Sequence, residues 1–229
     1  MKKSFCAMMF LLACALVAWN LAVATSEKAT VTADDALKNL IEGNQRFVSQ
    51  QMTGSSFCDM RIREKLAKGQ NQYAVILSCS DSRVPPELVF DKGLGELFVI
   101  RVAGNIPDPI VLGSIEYAAE HLGSPLIMVL GHERCGAVTA AVDAKGRPQG
   151  NIGAIVKTIA PATAKARLAC KGKDRATMVE CAVDENIRNV AEEIPKQSKV
   201  IRTLVTEGKV KIVMAKYDLD DGKVTLLPK

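Results

Sequence analysis

Three side chains in this sequence have the chemistry to hold one metal ion. Cys79 stands in Ser78-Cys-Ser-Asp-Ser-Arg83, directly after the apolar run Tyr73-Ala-Val-Ile-Leu77. His132 and Cys135 stand in Gly131-His-Glu-Arg-Cys-Gly136, directly after Leu126-Ile-Met-Val-Leu130. Two thiolates and an imidazole favour zinc, and two intervening residues let His132 and Cys135 reach the same ion. Three protein ligands leave a fourth position open, which is the catalytic rather than the structural pattern. Alone, a cysteine after an apolar run is ordinarily a small core residue, and a lone histidine is ordinarily a satisfied polar group. The two strand ends taken together point to ligation. His121, the other histidine, sits in a helical pattern and reads as a surface or interface residue. Asp81 and Arg83 begin two residues from a ligand. Exposed ion pairs are common and weak, but a carboxylate beside a metal can accept a proton and aim an oxygen nucleophile, and a neighbouring guanidinium keeps it ionised.

The elements that must place these residues are legible from hydropathy. The runs 73–77, 97–100 and 126–130 are apolar throughout, and 210–214 is apolar but for Lys211, as strands buried on both faces are. Helical patterns separate them at 109–122, 136–143, 151–169 and 176–206. Thr32 caps a helix striped by Leu37, Leu40, Ile41, Phe47 and Val48, and residues 59–68 form a second, charged candidate. The alternation predicts an α/β fold with a mostly parallel sheet between helices. Val224 to Leu227 follows the turn Asp220-Asp-Gly222, so the last strand is expected to be antiparallel at the sheet edge. The Gly-rich stretch 143–151 reads as a loop. In open α/β sheets ligands bind beyond the carboxyl ends of the strands, which is where both motifs fall. Cys135-Gly136 would open a helix near Ala137, whose N-terminus stabilises thiolate and accepts anions.

The chain has 229 residues, enough for one domain with a sizeable core. Lys2 and Lys3, the apolar run from Phe5 to Leu16 and the small-x-small Ala22-Val-Ala24 predict a signal peptide over 1–24. Leu11-Leu-Ala-Cys14 leaves a lipoprotein box as a second option. Residues 25–229 are then one exported domain, periplasmic or secreted, with no membrane segment. Removing Lys2 and Lys3 with no acids lowers the formal charge from +5 to +3. That mild balance, without a basic stripe, argues against nucleic-acid binding. The same residues carry five cysteines. Cys170 and Cys181 could pair in an oxidising compartment, and Cys58 is expected to be free or buried.

Cys79-Ser-Asp-Ser-Arg83, Val84-Pro-Pro-Glu87, Ala103-Gly-Asn105 and Gly131-His-Glu-Arg-Cys-Gly136, in that order, resemble the β-class carbonic anhydrases. The resemblance runs from about Ala33 to Gly222. It implies one Zn²⁺ per chain on Cys79, His132 and Cys135, attack of zinc-bound hydroxide on carbon dioxide to give bicarbonate, and a homodimer or dimer of dimers. It also implies that Asp81 and Arg83 form the pair beside the metal and that Gln70 binds bicarbonate. Phe98 and Tyr117 would line the carbon dioxide pocket, and the Gly136 backbone would face the substrate. In the bicarbonate-inhibited branch a tryptophan stands three residues before the first ligand. Here that residue is Ile76, which weakens the case for an inhibitory site and for Asp81 as a fourth ligand in a closed state.

Two thiolates cancel the ion's charge, so a more alkaline activity profile is expected than from a three-histidine site. The proton shuttle is not assigned; His121, Tyr117 or buffer could serve. Two other functions share these ligands: hydrolysis of carbon disulfide or carbonyl sulfide, and a closed non-enzymatic zinc site, which would not need Asp81 and Arg83. A thiol redox role would need a C-x-x-C motif, which the sequence lacks.

Overall fold

The computed structural model describes residues 31–53, 59–146, 148 and 150–228. The leader reading, Cys14 and Cys58 lie outside them.

Five strands form one sheet in the order β2-β1-β3-β4-β5: β1 Ala74–Ser78, β2 Leu97–Arg101, β3 Leu126–His132, β4 Lys211–Tyr217 and β5 Val224–Leu226. β1 pairs in parallel with β2 and β3, β3 pairs in parallel with β4, and only β4–β5 is antiparallel. The mostly parallel sheet and its antiparallel C-terminal edge therefore stand as the sequence predicts. β1 and β3 are buried along their whole length, as strands covered on both faces must be.

Alternate strand residues feed two cores. Val75, Leu77, Ile127 and Val129 pack on one face with α4 Pro109–Glu116, α5 Gly136–Asp143, α6 Ile152–Ala169 and α7 Arg175–Gln197. Ala74, Ile76, Leu126, Met128 and Leu130 pack on the other with α1 Ala33–Val48 and α3 Pro86–Val89. Thr32 caps α1 by accepting from the Asp35 amide at 3.1 Å. The stripe on α1 differs from expectation at its end: Val48 is exposed, while Gly43 and Asn44 are buried. A Cβ on Gly43 would come within 1.8 Å of the Phe90 carbonyl oxygen.

The helix expected over 176–206 is two helices, α7 and α8 Lys199–Thr206. The break is at Ser198, whose extended backbone and hydroxyl cap a new helix by accepting from the Ile201 amide. Short helix α3 and the 3₁₀ turn Ala103–Asn105 carry too few residues to leave a period and were not expected. α2 spans Met60–Leu66, inside the range read for it.

Candidate metal centre

Register brings the ligands together. Ser78, the last residue of β1, pairs with Leu130 of β3. Cys79 is the next residue on one strand, and His132 ends the other two residues further on. Cys135 then occupies the N-cap of α5. One ligand atom from each of Cys79, His132 and Cys135 falls within 4.8 Å of the others. All three side chains are buried, at 5%, 0% and 1% exposure.

The donor chemistry of this group fits a metal cation. His132 Nδ1 lies 2.8 Å from the Glu133 carbonyl oxygen, so Nδ1 carries the ring proton and Nε2 presents a lone pair. Nε2 is buried and has no hydrogen-bond partner, a costly arrangement unless a cation takes the lone pair. The two sulfurs are 4.0 Å apart. The Cys135 thiol beside it pulls the Cys79 thiol down against the desolvation of burial, with the Gly104 amide helping. The same proton sharing, together with burial, pushes Cys135 far up, while the amides of Val138 and Ala137 at the start of α5 favour its thiolate. A buried pair that holds one proton between two sulfurs is a pair that a divalent cation can neutralise.

Asp81 and Arg83 lie on the turn after β1. Asp81 Oδ1 accepts from the Arg83 amide at 3.0 Å and from Nε at 2.9 Å, and Oδ2 accepts from Nη2 at 2.7 Å. Oδ2 is also 3.9 Å from His132 Nε2. Hydrogen bonding to Arg83 holds the Asp81 carboxyl well below the usual carboxylate range, despite partial burial. Both oxygens are engaged by Arg83, so Asp81 stands beside the three-residue group with its orientation fixed.

Residues to which the sequence reading gave no role support this turn. Arg101, at the end of β2, donates from Nε to the Cys79 carbonyl at 3.0 Å and from Nη2 to the Asp81 carbonyl at 2.6 Å. The Gly104 amide lies 3.3 Å from Cys79 Sγ. Gly104 has φ +75°, and a Cβ there would meet Ile159 Cδ1 at 2.8 Å, so only glycine brings its amide to the sulfur without strain. The run Arg101-Val-Ala-Gly104 offers a signal for both residues, since it too follows a strand end. The Gly131 backbone is pressed against Ile187 of α7, at 2.5 Å from a built Cβ, which fixes the end of β3.

The pocket candidates divide. Phe98 in β2 and Tyr117 are brought together, with ring centroids 6.3 Å apart, and Tyr117 is 42% exposed. Gly136 is the first residue of α5, exposed and with nothing near a built Cβ. Gln70 is not near the cluster. It precedes β1 and lines a groove of about 780 Å³ with Lys65, Lys68 and Lys92. Cys79 follows the same strand, so five strand residues, about 17 Å at the usual rise, separate the two. Cys170 and Cys181, left open by the sequence, form a disulfide that joins the end of α6 to α7. Among the described residues no helix is long and apolar enough to cross a membrane.

Comparison with known proteins agrees with this geometry. The family model described as carbonic anhydrase matches residues 74–224. The chain is 40% identical over 194 residues to carbonic anhydrase 2 of Mycobacterium tuberculosis strain H37Rv, covering 83% of this chain and 91% of that protein. It is likewise 40% identical over 194 residues to the carbonic anhydrase of Mycolicibacterium smegmatis, with the same coverage. Among solved structures, the β-carbonic anhydrase CcaA superposes with a TM-score of 0.70 at 26% identity, over 84% of this chain and 95% of that one.

Proposed function

The chain belongs to the β-class carbonic anhydrases, and from that membership we propose that it interconverts carbon dioxide and bicarbonate using one zinc ion held by Cys79, His132 and Cys135. The observation that carries the metal is the buried, partnerless Nε2 of His132 facing two sulfurs 4.0 Å apart. When bound, zinc lowers the pKa of water enough to supply a nucleophile near neutral pH.

The chain's own residues do the rest. Arg83 keeps Asp81 ionised and fixes its plane. Asp81, acceptor-only in that state, takes a hydrogen bond from the attacking water and directs its lone pair. The amides of the first turn of α5, beginning at Gly136, favour the developing anion. The register sets Phe98 opposite Val75, four residues before Cys79, so Phe98 and Tyr117 supply an apolar wall for carbon dioxide at the site of a second copy. Gln70 contributes to bicarbonate binding from a second copy of the chain, because β1 separates it from the cluster of its own copy. A homodimer or dimer of dimers is therefore part of the proposal. It is supported by the position of β2, paired on one side only among the described residues, and by Ile110 at 81% exposure on the neighbouring helix α4.

Export is the second part of the proposal, with residues 1–24 removed. Two features support it: the basic, apolar and small-residue order of the leader, and the disulfide Cys170–Cys181, which persists in oxidising compartments.

Stopped-flow hydration of carbon dioxide, with zinc measured on the same sample and Asp81→Asn alongside, tests the catalytic reading. Fast hydration near one zinc per chain, lost in the variant with zinc retained, is the expected result. A folded, zinc-loaded protein without hydration at neutral and alkaline pH would overturn it.

A further inference from the structure

The peptide group between Glu133 and Arg134 is bonded at both ends. Its carbonyl accepts from His132 Nδ1 at 2.8 Å. Its N–H donates to Glu180 Oε1, on α7, at 2.8 Å. Glu180 Oε2 lies 2.8 Å from Lys216 Nζ on β4, and the same ammonium lies 3.0 Å from Asp184 Oδ1. A continuous path therefore runs from an ionic cluster on α7 and β4, through one peptide plane, to the imidazole whose Nε2 faces the two sulfurs.

We infer that Glu180 is a positioning residue for the metal centre: its carboxylate orients the Glu133–Arg134 peptide, and that peptide fixes the tautomer and plane of His132. The inference rests on the reading of Cys79, His132 and Cys135 as metal ligands.

Three observations carry it. Arg134 has φ +49°, a left-handed conformation that few non-glycine residues adopt. The peptide preceding it is thus held in an orientation the chain would not choose locally, and a charged acceptor on the N–H offsets that cost. The loop is also braced where it does not touch the ring. The Glu133 amide donates to the Tyr217 carbonyl at 3.1 Å, and the Arg134 guanidinium donates to both oxygens of Asp220 at 2.9 and 2.8 Å. Finally, the helix that carries Glu180 packs on the end of the strand that carries His132, where Ile187 presses on the Gly131 backbone. Histidine ligands generally donate their second N–H to an outer partner, and that partner sets ring orientation and metal affinity. Here the immediate partner is a backbone carbonyl, and the carboxylate acts one peptide further out. Hydrogen bonds in series polarise one another, so removing the acceptor on the N–H weakens the carbonyl that holds His132.

The test compares Glu180→Ala, Glu180→Gln and the unaltered protein. Zinc release to a competing chelator and the visible absorption of the cobalt(II)-substituted protein are read, with circular dichroism confirming the fold. Glu180→Ala is expected to release zinc about tenfold faster or more and to shift the cobalt bands. Glu180→Gln keeps a carbonyl oxygen for the Arg134 amide and should stay within about threefold of the unaltered protein. Equal release and equal spectra for Glu180→Ala overturn the inference, and so does a Gln variant as impaired as the Ala variant, which would assign the effect to the Lys216 ion pair. If Glu180→Ala does not fold, histidine-selective ¹⁵N NMR of the unaltered protein decides. With only two histidines, a proton on His132 Nδ1, with an Arg134 amide protected from exchange, is expected. A proton on Nε2, or a freely exchanging Arg134 amide, overturns it. Failure of the unaltered protein to bind zinc would instead overturn the metal reading itself, a separate result.

Discussion

The sulfurs of Cys79 and Cys135 lie 4.0 Å apart, and their contact pulls the Cys79 thiol down while, with burial, it pushes Cys135 up. This pair should therefore enter metal binding with one thiolate more readily formed than the other. Unperturbed thiols, with pKa near 8.5, would enter with none. Zinc binding should release about one proton from the pair, against nearly two from unperturbed thiols. Calorimetry in buffers of different ionisation enthalpy reads that number, and a value of two would contradict the shared-proton description. Stripping the metal should also lower the melting temperature. Zinc at about a thousand times its Kd contributes roughly 4 kcal/mol, which for a chain of this size is on the order of 10 °C.

Asp81 is depressed because Arg83 donates to it from backbone and side chain. A carboxyl whose folded pKa is lowered contributes stability that is fully present above its unfolded value, near 4. That contribution is lost as pH falls through the folded value. Asp81 should then stay ionised across the neutral and alkaline range and set no acid limb there. Arg83→Ala removes the cause and should move that limb upward, toward the ordinary carboxylate range. Asp81→Asn should cut hydration on the order of 100-fold while zinc content holds. Paired pH–rate curves check both, and an Arg83→Ala curve that overlays the unaltered one would separate the pair from catalysis.

The difference between what the sequence disclosed and what it hid follows from range. Cys79 and His132 were legible because each follows an unbroken apolar run, and in a parallel sheet the carboxyl ends of adjacent strands share an edge. The strands and most helices were legible for the same reason of period and burial. Glu180 was not, because it meets Arg134 across 46 positions of chain, and nothing near either residue marks the pairing. Gln70 was carried over from the resemblance, yet β1 sets it at the far end of the strand from Cys79, a separation that a motif match does not express. The break at Ser198 was hidden because α8 resumes the apolar period almost without offset; only the serine hydroxyl, as a cap, marks it.

A site with two sulfur ligands places two negative charges on the ion, so the ion withdraws less electron density from water than a three-histidine site would. Activity should therefore rise through neutrality and be greatest on the alkaline side. Initial rates of hydration in buffers spanning neutral to alkaline pH check this. A profile already flat well below neutrality would show that neutralisation by Cys79 and Cys135 does not weaken the metal.

The disulfide Cys170–Cys181 closes a short loop between α6 and α7. Constraining a loop of this size in the unfolded chain is worth about 3 kcal/mol. Cys170→Ser should therefore lower the melting temperature by roughly 6 to 12 °C, and reductant should lower that of the unaltered protein to match. Cys181 lies next to Glu180, so the location of the loss matters. With zinc bound, hydrogen exchange should rise first in residues 170–181 and leave the β1 and β3 amides protected. Cys79 and His132 sit at the ends of those strands, apart from the disulfide, and zinc retention by Cys170→Ser at low temperature should match the unaltered protein. Loss of zinc from Cys170→Ser under conditions where it remains folded would mean that the disulfide supports the metal loop directly and not only the stability of the fold.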